Sequence, residues 1–339
     1  MEKLEALIGG KKEKIEEPDL EKATNIKKEI AEITQGKSLD SLELSQLQEI
    51  LKKYQQMENV LGISKKIEGS VQEQMDMARE VMGEEFFGVS AVEKAFGIRI
   101  SPEDIPEIPF KKEELERAKE LNQFLVLRVD KAQDGKPLSL QKINEILKCK
   151  MIDESKFLYG GDGTGKIKDD CWYKNEDFAK TETPKLSWTL TSKEIIPNSN
   201  DKNYLEQTAE IAEYLKSKIF NGFEMPEVYQ EVISEFEKEK DAIGKLIDSN
   251  WQKASEKLSQ LKINQLTRQN PVEAVYDIVI YFQNKSERIL EKDYAWTSRR
   301  DSSGGLVDVG NFDSGGVDVD SNQPGYSDGD LGVAFSRSL

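Results

Sequence analysis

Histidine is absent from all 339 residues. That removes Ser-His-Asp and Cys-His catalysis, the His-x-x-x-His zinc motifs and any imidazole-based pH switch. Cysteine is nearly absent too. Two thiols, Cys149 and Cys171, cannot staple a disulfide scaffold, and their spacing matches no metal motif. Long apolar runs are missing. The longest, residues 274–282, is broken by Asp277 and is too short to span a bilayer. The start, Met1-Glu2-Lys3-Leu4, leads into more charge without an apolar segment, so the expectation is a cytoplasmic protein, with surface display by another route left open. Basic excess is also lacking: 48 Lys plus Arg stand against 64 Asp plus Glu, a net charge of −16, which argues against a phosphate-backbone binder.

What is present divides into three textures. At roughly 100–200 residues per domain, the length allows two or three units. Residues 1–85 carry helical stripes, namely Ile26, Ile30 and Ile33, then Leu44, Leu47, Leu51, Tyr54 and Leu61, then Val71, Met75, Ala78 and Met82. They predict a helical hairpin or coiled-coil-like module, which could serve as an oligomerisation arm. Pro102, Pro106 and Pro109 then mark residues 86–110 as a linker or a strap. From 111 onward, helices are expected over 113–121, around Leu140–Leu147, over 204–220, from Val228, and from Pro271 to Ile289. Strands are expected at 124–129 and at Leu186, Trp188 and Leu190, the latter half-buried.

The last 39 residues differ from all the others. Residues 301–339 contain no Lys and no Glu, but seven Asp, eight Gly and seven Ser. Val307-Asp-Val309, Val317-Asp-Val319 and Leu331-Gly-Val-Ala-Phe335 alternate, with Gly304-Gly305 and Gly315-Gly316 between them. This pattern predicts short antiparallel strands with aliphatics inward and Asp, Asn and Ser outward. Short polar residues plus Tyr are also the composition of paratopes. A turn-rich sheet needs Gly, Asp and Ser in any case.

Motif-like segments mostly fail on context. Gly160–Lys166 has the P-loop skeleton, but Ile167 stands where Ser or Thr should bind magnesium, and no helix follows, so a glycine-rich turn is expected. Asp318-Val-Asp320-Ser-Asn322 starts like a calcium loop, yet its sixth position is Gln323 and its twelfth Gly329. A looser calcium site from Asp318, Asp320, Asp328 and Asp330 stays open as an alternative. No acid pair stands out as an acid/base couple, and no enzymatic activity is expected.

The segment from Trp296 to Ser338 resembles the C-terminal variable region of target proteins of diversity-generating retroelements. Its Leu331-Gly-Val-Ala-Phe-Ser-Arg337 ending is similar to the Gly-Phe-Arg ending of the C-type lectin-like fold in its formylglycine-generating-enzyme branch. The blocks at 97–106 and 186–197 resemble proteins of uncultured small-genome bacteria that carry such elements. In that family a reverse transcriptase rewrites the 3′ end of the gene with errors at template adenines. From asparagine codons these errors reach Asp, Ser, Gly and Tyr but not Lys, Glu or Gln. The missing Lys and Glu fit this, whereas Gln323 does not.

The helical stripes give an N-terminal helical hairpin or coiled coil, and the resemblance, which covers about 86 to the end, implies that a C-type lectin-like domain over 111–339 follows it in an α+β chain. That domain would have short antiparallel strands, a helical insertion at about 221–290 and a variable region at about 297–339. Its fixed scaffold would be Leu306, Val307, Val309, Gly310, Phe312, Val317, Val319, Pro324, Gly332, Val333 and Phe335. The variable, ligand-binding surface would be Arg300, Asp301, Asp308, Asn311, Asp313, Asp318, Asp320, Asn322, Tyr326, Asp328 and Asp330. The cysteine pair of the formylglycine-generating enzyme has no counterpart in Cys149 and Cys171. No cofactor is implied. The expected partner is an unknown protein or glycan, with no nucleic acid and no membrane span. The alternative is a calcium-dependent glycan binder of fixed specificity.

Overall fold

In the computed structural model the described residues are Lys53, residues 70–148 and residues 157–338. The helical stripes expected between Ile26 and Leu61, the oligomerisation arm and Cys149 lie outside them. A unit spanning Gly69–Leu339 holds nearly all the described residues and is mixed α/β, with two small mixed sheets. No described helix is long and apolar enough to cross a membrane.

Helix α1 (Val71–Met82) starts at a capping box, in which Ser70 and Glu73 exchange side-chain and backbone hydrogen bonds. Its stripe of Met75, Ala78 and Met82 is buried in the main core, so this stretch packs with the elements that follow it. The expected linker, 86–110, is likewise part of the fold. It contains strand β1 (Phe86–Phe87) and helix α2 (Val89–Phe96), and Ile108 and Phe110 are fully buried. The proline segment is a strap. The Gln74 side chain accepts from the Ile108 amide at 2.9 Å, and the Trp188 indole donates to the Pro106 carbonyl at 2.9 Å.

Helix α3 (Lys112–Glu120) leads into strand β2 (Gln123–Arg128), whose every residue is buried. Helix α4 (Leu140–Leu147) is capped by Ser139, and a short helix α5 (Asp177–Lys180) precedes strand β3 (Ser187–Ser192). Strand β3 was expected to be half-buried, yet Thr189, Thr191 and Ser192 are buried with Trp188 and Leu190. Thr191 is covered because it joins a buried polar cluster described below.

Helix α6 (Tyr204–Tyr214) runs into a π-helical turn at Leu215–Ile219 and is capped by Asn203. Helices α7 (Glu227–Ser249), α8 (Trp251–Gln260) and α9 (Lys262–Thr267) follow. Together they form a second apolar cluster. Helix α10 (Pro271–Lys285), with Pro271 in its first turn and an Asn270–Glu273 capping box, packs instead into the main core through Val272, Val275, Tyr276 and Val279. The helices of 204–267 therefore cover one face of the second sheet, and α10 packs on the other, against the inward side chains of the strands at Tyr294–Arg300 and Leu306–Asp313.

Strands β4 (Tyr294–Arg300), β5 (Leu306–Asp313), β6 (Gly316–Asn322), β7 (Leu331–Gly332) and β8 (Ser336–Arg337) complete the chain. The first sheet has the order β1-β2-β3-β8, the second β6-β5-β4-β7. Pairing is antiparallel except for β1–β2 and β4–β7. All eleven scaffold residues named from the sequence are buried. Two of the glycines are forced by close approach. A Cβ on Gly310 would fall 2.1 Å from the Asp293 carbonyl, and one on Gly332 would fall 2.8 Å from Ile195.

A buried polar cluster ties the first sheet together. Arg128, 3% exposed, meets Asp277, 1% exposed, at 3.1 and 2.5 Å, and donates to Ser336 at 3.0 Å. Gln269 donates to Asp277 at 2.6 Å and Thr191 donates to it at 3.1 Å. Burial works against the guanidinium charge, but the attraction of Asp277 and Glu273 outweighs it and raises the Arg128 pKa. Replacing Asp277 by Ala leaves Glu273, at 3.4 Å, as the remaining counter-charge of Arg128 and is expected to cost about 3 kcal/mol in urea unfolding. A loss below about 1 kcal/mol would show that the pair does not hold the sheet.

Candidate ligand-binding face

The second sheet separates its side chains by strand alternation. Ala295, Val307, Val309, Val317 and Val319 point into the main core and are at most 2% exposed. On the opposite face, cross-strand register aligns Tyr294 with Gly310 and Asp318, Trp296 with Asp308 and Asp320, and Leu306 with Asn322. The helical layer covers one part of this face, where Trp296 and Leu306 are buried. The remainder is lined by short acids and tyrosines.

This arrangement gathers many of the sequence-named residues. The Tyr294 hydroxyl donates to Asp318 at 3.0 Å, and the Asn322 amide donates to Asp308 at 3.2 Å. Tyr326 donates to Asp328 at 2.8 Å, and both residues are exposed on the loop before β7 along with Asp330. That loop is pinned from below. Asp201 and Tyr204 donate backbone amides to the carbonyls of Asp328 and Pro324, and the Asn200 side chain donates to Gly329 at 3.0 Å. Asn311 is half-buried with φ 45°, a left-handed conformation that Asn tolerates better than most residues.

Four named positions fall elsewhere or play another part. Arg300 and Asp301 sit at the β4–β5 turn, with Arg300 donating to the Gly304 carbonyl at 3.4 Å. The Asp301 carboxylate accepts from Ser303, the Gly305 amide and Ser321, and these donors lower its pKa against the opposing effect of burial. Both residues close a turn. Asp313 does the same at the β5–β6 turn, accepting from the Gly315 amide at 2.6 Å. Asp308 is the clearest correction: expected on the surface, it is 2% exposed. It lies on β5, flanked by β4 and β6, with the Asn322 amide bonded to it. Burial first, then the charges of Asp320, Asp318 and Asp330, push its pKa up to about 8 despite the bond from Asn322.

Residues from another part of the chain complete the face. The Val317 amide donates to the Phe157 carbonyl at 2.7 Å, and the Tyr159 amide donates to the Val317 carbonyl at 2.9 Å, so residues 157–159 run along the outer edge of β6. Trp172 donates its indole to the Val319 carbonyl at 3.0 Å. Tyr159 and Trp172 were not singled out as ligand-facing. Their only sequence signal is a pair of aromatics flanking the glycine-rich Gly160–Lys166 segment, and the bridge that brings them here spans some 150 residues. The Gly160–Lys166 segment is a turn, as expected. Asp162 accepts from the amides of Thr164 and Lys166 at 2.8 and 3.1 Å, so its own carboxylate occupies the amides that a phosphate would need.

Among the described residues no group of three or more Asp, Glu, Cys or His side chains converges to hold a metal ion. Compared with known proteins, the chain matches no family model, no curated protein and no solved structure.

The raised Asp308 pKa has a defined sign. Unfolding releases the proton wherever pH exceeds the unfolded value near 3.8, so stability is lost progressively as pH rises toward 8. Asp308→Asn keeps the acceptor for Asn322 and removes this cost. The variant is expected to melt higher than the parent, by several degrees more at about pH 9 than at about pH 5. An equal difference at both pH values would mean that Asp308 is ionised in the folded protein.

Proposed function

We propose that this is a non-enzymatic ligand-binding protein whose C-terminal variable region, about 297–339, is diversified by a retroelement and displayed on a C-type lectin-like scaffold. The observation that carries this is the alternation along β6 and the loop after it. Val317 and Val319 are at most 1% exposed, while Asp320, Tyr326, Asp328 and Asp330 stand open to solvent and Asp318 is half-open. Side chains in the second group can change without disturbing the first. The turn-closing roles of Arg300, Asp301 and Asp313 and the burial of Asp308 narrow the exchangeable set to the β6 face and the 326–330 loop.

Binding on such a face is interface physics. A rigid sheet presents rings and short hydrogen-bonding groups, and the members that match a ligand supply most of the affinity. A calcium-dependent glycan binder of fixed specificity is the competing account, and no converging metal ligands among the described residues favour it.

The proposal is tested first at the gene. A near-copy of the segment encoding 297–339, differing at adenines and lying beside a reverse transcriptase gene, is expected. Sibling genes are expected to vary at 318, 320, 326, 328 and 330 and to hold 307, 309, 317 and 319. Siblings with constant outward residues, together with calcium-dependent heat in titration, would transfer support to the fixed lectin. Protein measurements check the same division. Asp320→Ala and Tyr326→Ala are expected to move Tm by less than about 2 °C. Phe312→Ala, which empties a buried site, is expected to cost about 3–5 kcal/mol.

A further inference from the structure

Where residues 157–173 meet strand β6, the protein has a cavity of about 400 Å³, a volume suited to a side chain or small ligand. Its walls come from two places. Tyr159, Lys168, Asp170 and Trp172 lie upstream, and Asp318 and Asp320 belong to β6. Tyr159 and Trp172 are 65% and 42% exposed, and both rank among the exposed large apolar side chains of the described residues. Tyr173, at the back of the cavity, is only 2% exposed, yet its hydroxyl has no hydrogen-bond partner among the described residues. A Cβ on Gly160, another lining residue, would fall 2.5 Å from that hydroxyl and 2.5 Å from the Cys171 thiol, so only glycine fits against this back wall.

We infer that this cavity receives an organic cation, the ammonium of a lysine on a basic peptide segment, with Asp318 and Asp320 facing the charge and the Tyr159 and Trp172 rings flanking it. The inference rests on reading this face as a ligand-binding surface and assigns the chemistry of what it binds. Three carboxylates, Asp170, Asp318 and Asp320, stand against the single ammonium of Lys168. Exposed rings beside carboxylates are the combination that holds an ammonium by cation–π attraction and charge. Burial, followed by the neighbouring Cys171 and Asp318, raises the Tyr173 pKa, so its hydroxyl stays neutral behind the cavity wall. The net charge of −16 draws cationic partners toward the protein at low ionic strength.

The two halves of the cavity differ in origin. Tyr159, Lys168 and Trp172 precede residue 297 and would be constant among siblings, whereas Asp318 and Asp320 fall in the exchangeable set. The rings would then be a permanent feature, and the sign of charge preferred would depend on the residues present at 318 and 320.

The test uses the full chain and three probes: a short peptide with two lysines, the same peptide with both lysines Nζ-acetylated, and spermidine. Binding is followed by tryptophan fluorescence and calorimetry. The lysine peptide is expected to bind, about tenfold or more tighter than its acetylated form, with affinity falling as salt rises. Asp318→Asn combined with Asp320→Asn is expected to weaken binding by about tenfold, and Tyr159→Ala, at an exposed site, by several-fold. Lys168→Ala is expected to strengthen binding, because it removes a like charge. Equal binding of the acetylated peptide, or weaker binding after Lys168→Ala, would overturn the cation assignment. Tighter binding of spermidine than of the peptide would overturn the peptide as source. A flat titration of a chain whose gene has the adenine-marked repeat would sink this inference alone, whereas constant outward residues among siblings would sink the display proposal and leave these titrations standing.

Discussion

The pairing of Arg128 with Asp277 is the constraint on which the rest of the fold turns. It is buried on all sides, so neither charge can find water if the other moves. One geometry satisfies it: β2 supplies Arg128, α10 supplies Asp277, and β3 and β8 supply Thr191 and Ser336 as further partners. Such a pair adds little net stability over an apolar core, but it penalises every arrangement that separates these four elements. The last strand is thereby fixed against the first sheet. Arg337 adds to the anchor, stacked between Phe110 and Phe220 and paired with Glu114 at 3.0 Å. Because β7 belongs to the second sheet and β8 to the first, the short segment between them crosses from one sheet to the other. The strands before it are held at their far end by a buried charge network.

Local signals made much of this legible in the sequence. Pro271 in a first turn and apolar spacing place the helices 112–120, 140–147 and 271–285 within a few residues. The alternation in the tail places its inward aliphatics correctly. Long-range contacts decide the remainder. Nothing local states that the proline segment is clamped by Gln74 and Trp188, or that the 71–82 stripe packs on the main core. Asp201 adopts φ 54° in the turn before α6, and Asn203 takes the capping position with Glu206 as its reciprocal partner. The aromatic wall of the candidate face is invisible for the same reason: the bridge from Leu158 to Val317 joins segments far apart in the chain.

Asp308 and Asp320 show what governs exchangeability on such a sheet. They are the same residue type, directly opposite in register and on the same face. Alternation alone assigns them one role. Their strands assign them different ones. Strand β5 is flanked by β4 and β6, so Asp308 is enclosed laterally, and its carboxyl keeps a proton up to about pH 8. Strand β6 lies at the sheet edge, met on its outer side by the short bridge from 157–159 and the Trp172 indole, and Asp320 stays in water. A charged or bulky residue at 308 must bear desolvation and crowding, whereas at 320 it meets neither. The tolerant surface of a small sheet is therefore the outward half of its edge strand and the loop that follows, and outward residues of the central strand belong with the frame.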